Sequence, residues 1–265
     1  VEELNRYINA EINRPFGLKK TDSNAKQVQA RELLYQAWDE AGSKRYELAR
    51  RALELYPNSP DAYVILSEQA ASTEAAKSLL YQGIKAGVED LGQAYFEENK
   101  GHFWGLLETR PFMRAKLNYA FCLWNLGEHA EAIRHYEELL SLNPNDNQGV
   151  RYELLPAYIE TGRYREAREL IGKYHDGTAN ILFNQVLLEY LTSGVTEKTS
   201  RHLQEAVNQN PHVMKYLLKK KRIPRERPEY IGIGDELEAI AYVQEHARLW
   251  WRGHALMDFI RRFDR

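Results

Sequence analysis

One spacing is written three times in this chain. Gly127, Ala132, Tyr136 and Pro144 are followed by Gly162, Ala167, Ile171 and Ala179, and then more loosely by Gly194, Thr199, Leu203 and Pro211. The three glycines stand 35 and then 32 residues apart, which brackets the ~34-residue period of stacked helix pairs. A helix pair of that size cannot bury its own apolar face, so neighbours must stack on it. The pattern therefore restricts the chain to an all-helical array, in which glycine makes each turn and an alanine lets two helices approach closely.

The rest of the chain is read against this period. Ala30, Leu33, Leu34, Ala37 and Trp38, then Leu48, Ala49, Ala52 and Leu55, recur at helical spacing and predict two amphipathic helices broken at Gly42. Tyr56-Pro57-Asn58-Ser59-Pro60 ends the pair, because proline lacks the amide hydrogen a helix interior needs. A compressed pair is expected over 61–71 and 73–85, with Ser59 or Asp61 as its cap. Residues 87–111 break the period, and their interleaved Tyr95, Phe96, Phe103 and Trp104 read as a helical insertion packed through its aromatic rings. Regular repeats follow over 113–144, 148–179 and 180–211. Pro156 is expected to kink or restart its helix, and β-branched Thr199 to hinder close approach where the other copies carry alanine. Beyond Pro211 comes a basic stretch, then one or two helices between Asp235 and Phe263 that cap the array. The organisation expected is one solenoid over 1–265: repeats over 1–86, the insertion over 87–111, three regular repeats over 112–211, and the basic loop with capping helices over 212–265.

Composition narrows the function classes. Apolar residues make up 43% and charged residues 28% of the chain, with a net charge of −2, so no global field draws it to nucleic acid or to a membrane. Cys122 is the single cysteine, which excludes an internal disulfide framework and suits a reducing compartment. No stretch of about 18 apolar residues is present to span a bilayer or form a secretory signal. Opening on Val1 rather than methionine is compatible with trimming of a longer protein, and the cytoplasm is the expected location.

The repeats from Met113 to Pro211 are similar to tetratricopeptide repeats. That likeness implies an all-α, tetratricopeptide-like solenoid of antiparallel helix pairs in a right-handed superhelix, with the helical insertion and C-terminal capping helices added. A second likeness is carried by Asn210-Pro211-His212-Val213, Lys215-Tyr216-Leu217-Leu218, Gly234-Asp235, Glu238-Ala239-Ile240-Ala241-Tyr242, Trp250 or Trp251, and Ala255-Leu256. Together these words resemble the C-terminal region of the suppressor-of-tumorigenicity-7 protein family. Bacterial tetratricopeptide proteins with the same tail are also similar across the block from Glu97 to Pro111. Animal members of the family resemble membrane-associated proteins with hydrophobic segments, and this sequence shows none. The family brings no established enzymatic mechanism with it.

In a tetratricopeptide array the first helix of each pair lines the inner face, where an extended peptide or partner helix is held. Taking Met113 as the first position of its repeat directs Arg114, Asn118, Phe121, Trp124 and Asn125 to that groove, and the next two repeats add Tyr152 with Glu153 and then Asn184. The bland alternative is that Phe121 and Trp124 pack between repeats. A clamp for a C-terminal carboxylate is not expected, because Leu34 and Trp38 fall where its cationic residues belong. The stretch from Lys215 to Arg227 holds seven basic residues against one acid, Glu226. Lys219, Lys220, Lys221 and Arg222 are thus candidates for contacting phosphate, although such runs are more often solvated loops.

No catalytic set is expected. Cys122 lies mid-helix between Phe121 and Leu123, His175-Asp176 is explained by a helix C-terminus, and Gly232 and Gly234 read as a turn before a helix capped by Asp235. His129 and His135 fall on different helix faces, so neither a metal nor a cofactor is expected. The leading reading is a non-enzymatic scaffold for a protein or peptide partner, with nucleic-acid or anion binding by the basic stretch as the alternative.

Overall fold

The computed structural model describes residues 22–263; the outermost parts of the expected segments 1–86 and 212–265 lie outside them. Every regular element among the described residues is helical. Successive helices joined by short turns pack against each other, the tetratricopeptide-like plan that the glycine and alanine spacing demands. The described residues divide into two compact units, one formed by 22–96 with 108–118 and the other by 97–107 with 119–263.

In the first unit, α1 (Asp22–Asp39) and α2 (Gly42–Leu55) pair first. Ala30, Ala37, Ala49 and Ala52 are wholly buried between them and α3 (Pro60–Ser67). Pro60 begins α3 at a position where its missing amide hydrogen costs nothing. Of the two cap candidates, Ser59 occupies the N-cap position but donates its hydroxyl to Tyr56 O, while the Asp61 carboxylate takes a bidentate ion pair from Arg114 at 2.8 and 2.5 Å.

Helix α4 (Thr73–Leu91) runs four residues past Gly87. It does so because Gly83 and Gly87 face a crossing too tight for side chains. A Cβ at Gly87 meets Phe112 Cβ at 2.9 Å, and one at Gly83 meets Tyr63 Cβ at 3.1 Å. Gly87→Val is therefore expected to destabilise the chain by about 2 to 3 kcal/mol through overpacking, outweighing the modest gain in helix propensity. Urea unfolding checks this, and an unchanged midpoint would show that the crossing yields freely. The segment then continues through α5 (Gln93–Glu98) and two short 3-10 turns, Phe103–Gly105 and Leu107–Thr109. Its aromatics pack as the sequence implies: Phe96 sets its edge on Phe112 at 5.0 Å, and Phe103 is wholly buried.

Helix α6 (Arg110–Asn125) contributes residues to both units. The second unit continues with α7 (His129–Leu142), α8 (Val150–Glu160), α9 (Tyr164–Lys173), α10 (Ala179–Ser193) and α11 (Glu197–Gln209). Short α12 (His212–Leu217), then α13 (Glu236–Trp251) and α14 (His254–Phe263), close the unit. Helices α10 to α14 share one core built on Phe183, Tyr216, Tyr242 and Trp250.

Two sequence expectations change here. Pro156 neither restarts nor divides its helix: α8 is continuous from Val150 to Glu160. Proline does free the carbonyl four residues earlier, that of Tyr152, and Asn180 on α10 donates to it at 3.2 Å. The lost intrahelical bond is replaced by an inter-repeat one. Thr199 is likewise no steric handicap. Fully buried, it forms a reciprocal capping box with Thr196, and its hydroxyl also donates to Gly194 O at 2.7 Å. The hydroxyl satisfies groups that alanine would leave to the turn alone.

Candidate functional site

The residues that chemistry singles out gather on α8, α10 and α13 of the second unit. The start of α8 is fixed by buried Asp146, whose carboxylate accepts the amides of Val150 and Arg151 at 2.7 and 2.9 Å and the Arg151 guanidinium at 2.9 Å. Arg151 lies over the Tyr152 ring and, with the Tyr152 hydroxyl, reaches Asp176 at 2.9 and 2.6 Å. Enclosure and the acceptor Asp176 push the Tyr152 phenol up to about 12. Asp176 is held below the usual carboxylate range because these donors, joined by Thr178, outweigh its partial burial. His175 is exposed and stands beyond the end of α9, so it and Asp176 form no acid–base pair.

Beneath this surface runs a buried polar relay. Trp250 Nε1 donates to the Tyr242 hydroxyl at 2.9 Å, which donates to Asn184 Oδ1 at 3.5 Å. Asn184 in turn donates to Asn180 Oδ1 at 3.2 Å, and the Asn180 amide serves both Tyr152 O and His246 Nε2, the latter at 3.4 Å. His246 Nδ1 donates to Tyr242 O at 3.0 Å, so the ring is neutral with Nε2 as acceptor. Full burial, more than any neighbour, lowers its pKa to about 4.

Above the relay the surface is charged. Glu160 on α8 accepts an ion pair from Arg248 of α13, with Arg252 4.0 Å away. One turn earlier on α13, Glu245 pairs with Arg227. Glu153 is different. It is half-buried, and no hydrogen bond or ion pair reaches its carboxylate among the described residues; desolvation raises its pKa, with the Arg227 charge as the opposing influence.

The sequence-selected groove residues are divided between the two units. In the first unit, Arg114 is committed to Asp61 and lies 5.9 Å over Trp38, while Asn118 donates to Arg114 O within its own helix at 2.9 Å. In the second unit, Phe121 tilts against Tyr136 and Trp124 stacks on His129 at 4.1 Å. Asn125 is exposed. Tyr152 and Asn184 are brought together through Asn180, but Asn184 is wholly buried under α13. Sequence reasoning missed Asn180, Gln244, Glu245 and His246. Helical spacing marks α13 as a cap, and nothing in it says that a capping helix extends a polar surface.

The basic candidates are largely engaged. Lys219 stands 4.6 Å over the Trp251 ring, and Lys221 pairs with Glu236. Lys220 and Arg222 are exposed. Among the described residues no three His, Cys, Asp or Glu side chains gather as a metal-binding group, and no helix is long and apolar enough to cross a membrane.

The family words of the C-terminal part meet at one carboxylate. Buried Glu238 accepts the amide of Ala179, the first residue of α10, at 2.8 Å, and also Asn210 Nδ2 and Gly234 N, each at 2.8 Å. Asp235 caps α13 by accepting Glu238 N at 2.7 Å and accepts Gly232 N at 2.9 Å. The sequence profile described as ST7 protein matches residues 14–261. The chain belongs to the ST7 protein family. It is similar to the human suppressor of tumorigenicity 7 protein-like, 30% identical over 247 residues that cover 83% of this chain and 42% of that protein. It is also similar to the suppressor of tumorigenicity 7 protein of Macaca fascicularis, 27% identical over 78% of this chain and 43% of that protein. The chain thus spans less than half the length of these relatives. Among solved structures it is similar to YrrB, described as a TPR protein with an unusual peptide-binding site, with a TM-score of 0.49, 18% identity, and coverage of 74% of this chain and 91% of that one.

Proposed function

We propose that this chain is a non-enzymatic interaction module that holds a partner's peptide segment against the charged surface of α8 and α13. The observation that carries this reading is Glu153. A half-buried carboxylate that no donor of the chain engages keeps its acceptor sites open to a ligand. Tyr152, one residue away, is held by Arg151 and Asp176, and a fixed aromatic beside an open carboxylate suits recognition of a cationic side chain.

The test is a displayed random-peptide library selected on the intact chain, with binding measured by fluorescence anisotropy. Glu153→Gln is expected to weaken the selected peptides at least tenfold while the chain stays folded, as its circular dichroism checks. Peptides that bind Glu153→Gln as tightly as the parent chain would exclude this surface. The basic stretch carries no second reading: Lys219, Lys221 and Arg227 are exposed but already engaged by Trp251, Glu236 and Glu245.

A further inference from the structure

The charged surface already has a segment of the chain lying on it. From Arg222 to Ile231 the backbone is irregular and makes no backbone–backbone hydrogen bond among the described residues. What holds it is a set of side-chain contacts from α13. The Gln244 amide donates to two carbonyls of this strap, Pro224 O at 3.0 Å and Glu226 O at 2.9 Å. Arg227 pairs with Glu245 and is the positive charge acting on Glu153. Ile223 rests against the core, while Arg225, Glu226, Glu229 and Tyr230 are exposed. A side-chain amide gripping alternate carbonyls, a carboxylate taking an arginine and an apolar anchor are the contacts by which an extended peptide is bound in trans. Here they are made in cis.

We propose that the α8–α13 surface is a receptor for extended, arginine-bearing peptides of the pattern Pro-x-x-Arg, and that residues 223–227 are its displaceable internal occupant. Charge complementarity selects this class of partner: Glu153, Glu160 and Glu245 present carboxylates, and the strap segment Lys221-Arg222-Ile223-Pro224-Arg225-Glu226-Arg227 carries four cations against one acid. A strap tied only by side chains, with no ladder to break, is released at small cost and leaves the surface intact. The same arginine that pairs with Glu245 in the closed form marks the residue a partner must supply. This inference rests on the reading of the surface as a peptide site.

The experiment uses the intact chain and a fluorescein-labelled synthetic peptide copying residues 221–230. Four proteins are compared: the wild type, a release variant carrying Ile223→Ser and Arg227→Ala, that variant with Glu245→Lys added, and a second release variant with a single substitution. Circular dichroism and the melting transition establish that each is folded, and Arg227→Ala alone provides the second release variant, which leaves the core and the receptor's own side chains untouched. Either release variant is expected to bind the peptide at least tenfold more tightly than the wild type. Glu245→Lys, or alanine in place of the peptide's last arginine, the copy of Arg227, should abolish the gain. Equal affinity for wild type and both release variants overturns the strap as an occupant while leaving the surface a peptide site. Absence of peptide binding to either folded release variant overturns the Pro-x-x-Arg specificity, and peptides from the library selection then decide separately whether the surface binds at all. A wild type that sediments as a dimer and is dissociated by excess peptide would make the occupant a second copy's strap, which also overturns the proposal.

Discussion

Glu238→Ala is expected to destabilise the chain by about 3 to 5 kcal/mol, a large effect for the removal of one carboxylate. The reason lies in what Glu238 satisfies. One oxygen accepts the amide of Ala179, an orphan donor at the first turn of α10. The other accepts Asn210 Nδ2 beyond the end of α11 and Gly234 N in the loop before α13. Leaving a buried donor unpaired costs about 1 to 3 kcal/mol, and three donors lose their acceptor together, less than additively because they share one site. Asn210→Ala removes one of the three donors and is expected to cost about 1 to 3 kcal/mol. Glu238→Gln keeps the volume and one acceptor but turns an amide NH2 toward donors, so it should fall between the two. Urea unfolding followed by tryptophan fluorescence measures all three, Trp250 being buried in the same core. A loss below about 1 kcal/mol for Glu238→Ala would mean that water replaces the carboxylate and that the node does not fix α13 on α10.

What the sequence made legible follows from the range of each signal. Turn glycines and small-residue positions are local, so Gly127, Gly162 and Gly194, each with positive φ in the structure, announce the helix pairs directly. Gly87 looked like the start of an insertion because glycine commonly breaks a helix; its real reason is the backbone's approach to Phe112, which no local pattern carries. The site was less legible than the fold. Tyr152 and Glu153 were found because they sit at inward positions of a first helix. Asn184 obeys the same positional rule and is buried, because α13 packs over the last regular repeat and its Tyr242 hydroxyl meets the asparagine. The basic stretch read as solvated charge because its counter-charges, Glu236 and Glu245, come later in the chain on a helix whose polar face had no assigned neighbour. Likewise the family words identified kinship without showing that Asn210, Gly234 and Glu238 converge on one carboxylate.

Stability should fall in mild acid through His246, and this second large effect has a definite sign. The imidazole is fully buried, its pKa lowered to about 4 from the ordinary 6.5 mainly by desolvation, with the Arg248 charge acting in the same direction and the bond to Tyr242 O opposing. Between those two pH values the unfolded chain binds a proton there that the folded chain refuses, so stability rises with pH across this window and is lost as pH falls from about 6.5 to about 4. The full contribution is ~3 kcal/mol, at 1.36 kcal/mol per pKa unit. The structural consequence is specific: protonated Nε2 becomes a donor facing the Asn180 amide, also a donor, and the relay from Tyr152 O through Asn184 to Trp250 loses its consistent direction. Glu153 acts oppositely, because its raised pKa makes the folded state the better proton binder above the ordinary carboxylate value. The two contributions separate by subtraction. His246→Gln remains neutral throughout, so the difference in unfolding free energy between wild type and His246→Gln should shift by about 3 kcal/mol against the wild type from pH 7 to pH 4. Urea titrations of both proteins at pH 7, 5.5 and 4 measure it. A difference independent of pH would show that the ring accepts its proton in the folded state, in which case the relay reorganises rather than resists and the floor of the α8–α13 surface is itself adaptable.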